Sequence, residues 1–98
     1  MTVGAETSAV VNAVFEAARS LGWTVSAFDR ADRCVYLDQA HGLHGFSRHF
    51  VVAATDNGLG GTTLQVSWPT STRRRLFDPH GRYASQLCGR VRAIVAGG

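Results

Sequence analysis

The sequence predicts an α+β domain in two layers: a helix, a four-stranded antiparallel sheet of two hairpins, and a second helix, with both helices on one face of the sheet. Three observations carry this reading. Apolar residues recur at intervals of three and four near both ends of the chain. Between those segments the period changes to two, and the two-period segments are joined by short stretches of turn formers that leave no room for a crossover. At 98 residues, 45% hydrophobic and 17% charged, the chain has the size and composition of one globular domain spanning residues 1–98.

The first helix is expected over residues 6–20. Val11, Val14, Phe15, Ala18 and Leu21 form one stripe, Asn12, Glu16, Arg19 and Ser20 lie opposite, and Gly22 is a natural stop. From Trp23 the segments "WTVSAFD" and "RCVYLDQ" read as strands around a short turn, and "AHGLHGFS" reads as a loop. "RHFVVAAT" and "TTLQVSW" flank "DNGLGG", a strong hairpin signal. In the last strand Leu64, Val66 and Trp68 alternate with Thr63, Gln65 and Ser67, which implies one buried and one wet face. The strand before it differs. Phe50, Val52 and Ala54 face one way and His49, Val51 and Ala53 the other, so this strand is central or its outer face is covered. The final helix starts with Asp78 as N-cap and Pro79 at its first position, burying Tyr83, Leu87, Val91 and Ile94 while Arg82, Arg90 and Arg92 stay outside. Trp23 and Trp68 are in phase with buried faces and are expected in the core rather than on a stacking platform.

The net charge of +3 is unevenly spread. Residues 1–56 carry four arginines against six acids, whereas residues 57–98 carry six arginines against Asp78 alone, giving −2 and +5. The absence of lysine fits a codon bias as well as a function, but the basic C-terminal half suggests an acidic partner. No apolar run reaches the roughly 20 residues of a membrane span. No basic segment precedes an apolar one as in a signal peptide, so a cytoplasmic protein that does not engage membranes is expected. Cys34 and Cys88 lack the paired spacing of a zinc or redox motif and are expected as buried free thiols, a disulfide between them being the alternative.

The segments "LGWTVSAFDRADRCVYL", "GFSRHFVV", "GGTTLQVSWPTSTRR" and "FDPHG" resemble, over about residues 21–81, the DUF1499 family of small bacterial domains of unknown function. Shared features are a Gly-Trp after a helix, a Gly-Phe before a central strand, and a Ser/Arg-rich segment before the last helix. The chain departs from that pattern at Ser47 and Arg48, where an Asp pair is usual, and at Tyr83, where Asn is usual. The resemblance implies the fold and draws attention to residues 70–81, and it implies no activity.

Four histidines raise metal and acid–base chemistry. His41 and His44 fall in the expected loop, His49 on the next strand as a half-buried residue, and His80 exposed in the first turn of the last helix. Their spacing does not enclose a tetrahedral site, so no metal and no cofactor is expected. The "GLGG" of residues 58–61 lacks the helix and Lys-Ser/Thr of a phosphate loop. Around "STRRRLFDPHG", Thr70, Ser71 and Thr72 offer hydroxyls, Arg73, Arg74 and Arg75 offer guanidinium forks, and the helix opening at Pro79 directs its free N–H groups toward them. These are the parts of an anion or partner site, and a solvated connection is the plain alternative. Val51 and Ala53 mark a self-association surface.

The resulting expectation is a non-enzymatic binding or accessory module that recognises a protein partner or small acidic ligand as a homo-oligomer. One alternative is a nucleic-acid binder using the arginine-rich half, although the outer sheet face carries no aromatic pair for base stacking. A second is a small enzyme with a histidine acid–base.

Overall fold

A computed structural model describes residues 1–41, 46–69 and 80–97. Among these residues the order is β1 (Thr2–Val3), α1 (Thr7–Ser20), β2 (Thr24–Asp29), β3 (Cys34–His41), β4 (Phe46–Asp56), β5 (Thr62–Ser67) and α2 (His80–Gly97). The fold is α+β, with the two helices packed on an antiparallel sheet and on each other. Among the described residues the sheet has five strands rather than four, in the order β1-β5-β4-β3-β2.

The fifth strand is only two residues long, too short to show a period in the sequence. Tertiary contacts hold it. Leu64 donates its N–H to the Met1 carbonyl at 2.7 Å, and the Met1 ammonium donates to the Leu64 carbonyl at 2.9 Å. Val3 is buried, and the fully buried Thr62 donates its hydroxyl to the Ala5 carbonyl at 2.8 Å. A second correction concerns residues 40–47, expected as a loop. β3 and β4 pair continuously from Cys34↔Ala53 to His41↔Phe46, so the strands form a meander with a third hairpin where two separate hairpins were expected. Gly42, Gly45 and the histidines obscured this in the sequence, because their residue types favour loops.

α1 ends where Gly22 stops it. With φ at 75°, Gly22 takes the left-handed conformation that costs a side chain-bearing residue most, and it donates to the Arg19 carbonyl at 3.1 Å while Trp23 donates to Ala18 at 2.8 Å. This is a Schellman arrangement, and it delivers Trp23 directly into the core. The helix begins at Thr7, one residue later than expected, with Glu6 as N-cap.

All strongly buried strand residues project from one face: Val35 and Leu37 from β3, Phe50, Val52 and Ala54 from β4, Leu64 from β5. Against them pack Val10, Val14, Ala17 and Ala18 of α1 and Ala84, Leu87 and Val91 of α2. Phe50 is the centre of this core. Trp23 stacks on its ring at 5.0 Å between centroids, and Trp68 meets it edge-on at 6.2 Å. Trp23 is therefore a core residue, as its phase predicts, whereas Trp68 is half-buried and packs against the core from its edge. Phe15 of α1 closes the far edge against Phe28 of β2 at 5.3 Å.

Candidate functional site

β4 is the middle strand of five, so the two apolar sides read from its sequence have different fates. Phe50, Val52 and Ala54 enter the core, whereas Val51 and Ala53 lie half-buried on the opposite face. Register builds the rest of that outer face. Tyr36 and Ser67 flank Val51, Cys34 and Gln65 flank Ala53, and Asp38 lies across from His49. Tyr36 is 39% exposed. Among the described residues the helices pack on the other side.

The face also holds a polar pair that the sequence reading missed. Asp38 Oδ1 lies 2.5 Å from His49 Nδ1, and the His49 side chain is 60% exposed, so it is not the half-buried residue expected. A carboxylate at Nδ1 fixes the ring orientation and selects the tautomer with hydrogen on that nitrogen. The signal that could have found it is arithmetic: paired positions on β3 and β4 always sum to 87, as 38 and 49 do. Covalent catalysis with a histidine base needs a hydroxyl or thiol aligned with the ring. Ser67 pairs with Val51 and Cys34 with Ala53, so neither faces His49.

Of the anion-site residues, Ser71, Thr72, Arg73, Arg74 and Arg75 lie outside the described residues, as do Asp78 and Pro79 of the helix-start signal. His80 is the first described residue of α2, and its side chain also lies outside the description. His41 belongs to the end of β3 rather than to a loop, and His44 lies outside. Among the described residues no three His, Cys, Asp or Glu side chains form a group that could hold a metal ion. Among the described residues no helix is long and apolar enough to cross a membrane. Arg82, Arg90 and Arg92 are exposed on α2 as expected. Arg48 reaches the other way, its guanidinium 5.0 Å from the Tyr83 ring centroid and 3.5 Å from Gln39 Oε1, tying β4 to the first turns of α2.

Both cysteines are free, and both are half-buried rather than buried. Burial nevertheless pushes the Cys88 thiol above its ordinary range, an effect that the Met1 ammonium and the Arg92 guanidinium partly offset. The native state thus keeps this proton where the unfolded chain has lost it. The associated stability is complete below about pH 8.5 and is lost as pH rises through the native value. The denaturant midpoint should therefore fall more between about pH 8 and pH 10 in the natural chain than in a Cys88→Ala variant. Equal falls would show that the thiol contributes nothing to it.

No family model matches the chain, and no curated protein matches it. The likeness to DUF1499 rests on the quoted residues alone.

Proposed function

We propose that the chain is a non-enzymatic binding module whose working surface is the outer face of the sheet, and that its first partner is a second copy of itself. One observation carries this reading: the centre of that face is apolar where a solvated sheet face is ordinarily polar. Val51 and Ala53 on the middle strand, with exposed Tyr36 beside Val51, make the centre. The Asp38–His49 pair, Gln65, Ser67 and Thr63 make a polar rim. An apolar centre inside a polar rim is the anatomy of a protein interface. A two-fold axis through the middle strand would bring the same patch onto itself, the commonest way for identical chains to associate.

The second function of such a module is recognition of an acidic partner or ligand by the basic C-terminal half, to which Arg82, Arg90 and Arg92 contribute exposed cations on α2. Self-association is read from the oligomeric state. Sedimentation at tens of micromolar should give a species near twice the 10.5 kDa of the chain. Val51→Glu should return it to the monomer without altering the circular dichroism spectrum, since a half-exposed position tolerates a charge in the free chain. A natural chain that sediments only as a monomer, or a variant that still dimerises, would overturn the proposal.

A further inference from the structure

A second feature lies on the helical side of the sheet, remote from the outer face. α2 packs chiefly on α1 and touches the strands sparsely, which leaves a recess of about 450 Å³ between α2 and β5. The recess is shallow and open to solvent on one side, so a small ligand seated in it would keep part of its surface in water. We infer that this recess binds a small organic anion with an apolar body, a monocarboxylate, oriented by Arg92.

The floor is apolar: Leu64 and Val66 of β5 and Ala84 of α2 line it. One helical face and the start of the chain supply the rest: Ser85, Cys88, Gly89 and Arg92 stand at i, i+3, i+4 and i+7 of α2, and Met1, whose ammonium donates to the Leu64 carbonyl at 2.9 Å, completes the lining. Gly89 is the informative member. A Cβ built on it meets nothing within 4 Å, so no packing requires a glycine there. A glycine within a helix is among the least favourable residues for that structure. Its effect is to keep the wall of the recess open. Arg92 is exposed, and among the described residues it has no carboxylate partner. No acidic residue lines the recess. A guanidinium fork beside an apolar floor matches a carboxylate carrying a hydrocarbon chain or ring. Cys88, kept as a neutral thiol by its surroundings, adds a small, weakly polar wall rather than a nucleophile.

Octanoate is a suitable probe, with octylammonium as its opposite in charge. Titration followed by amide chemical shifts should show saturable octanoate binding that perturbs residues 84–92 together with Leu64 and Val66. Octylammonium should not reproduce it. Arg92→Glu should weaken octanoate binding on the order of tenfold or more, since it replaces a charge-assisted contact with a repulsive one. Gly89→Leu should block binding by filling the recess while favouring the helix, so loss of fold does not confound the result. Octanoate should also slow alkylation of Cys88 without slowing that of Cys34. Absence of saturable binding, equal binding of the two probes, or undiminished binding by Arg92→Glu would each overturn the inference. None of these outcomes bears on self-association through Val51, which uses the opposite face.

Discussion

Replacing Phe50 with alanine is expected to remove about 3–5 kcal/mol of folding stability. Phe50 is 1% exposed on the middle strand, stacked by Trp23 and met edge-on by Trp68, so its removal leaves a void that two rigid rings cannot collapse to fill. Aromatic contacts contribute beyond simple area, and both are lost together. A domain of this length has a total stability of about 5–15 kcal/mol, of which the substitution would take a large share. The melting temperature should fall by at least about 12 °C. Phe28→Ala is the control, because Phe28 is 37% exposed and packs on Phe15 at the sheet edge. A fall for Phe50→Ala no larger than that for Phe28→Ala would refute the placement of the core on this strand.

The second large effect is expected at Gly61, where the cause is space rather than backbone conformation. A Cβ there would lie 2.9 Å from the Val3 carbonyl oxygen and 2.8 Å from Asn57 Nδ2. Neither neighbour gives way freely. Val3 is held in β1 by its pairing with Thr62, and the Asn57 side chain accepts from the Leu59 and Gly61 N–H groups at 2.8 and 3.1 Å. Gly61→Ala must displace β1 from β5 or break the turn. Overpacking of about 1–3 kcal/mol and the loss of a hydrogen bond worth about 1 kcal/mol suggest a total near 2–4 kcal/mol. Gly60, with φ at 80° and open space around it, shows the other kind of requirement, and Gly60→Ala should cost about 1–2 kcal/mol for the left-handed backbone alone. Urea unfolding of both variants separates the two. If Gly61→Ala is the milder, β1 is not docked as described.

The contrast between these glycines marks a limit of sequence reading. "DNGLGG" announces a turn through its composition, and the turn is there, built by Asp56 and Asn57 side chains that accept backbone N–H bonds. Nothing in the hexapeptide says that Gly61 touches a carbonyl 58 positions earlier in the chain. The helices were legible for a related reason. Val10, Val14, Leu87 and Val91 repeat at the helical period because each helix buries one stripe, and a local period requires no knowledge of the partner. Candidate chemistry was less legible. The arginines of residues 73–75 stand out by composition, whereas Asp38 and His49 are unremarkable separately and acquire meaning only when opposed.

By itself the sequence determined the α+β class, the two helices, the four long strands and the burial of Trp23, whereas Trp68 and Tyr83, expected in the core, are half-buried. These follow from periodicity and turn chemistry, which act over a few residues at a time. Only the tertiary structure decided that β1 joins the sheet, that β3 and β4 pair as far as His41↔Phe46, and that Asp38 meets His49. It also decided that Val51 and Ala53 lie opposite the helices and that a recess remains between α2 and β5. The physical reason is that strand partnership, register and the fit between layers depend on contacts between distant residues, whose free energy is absent from any short window of sequence.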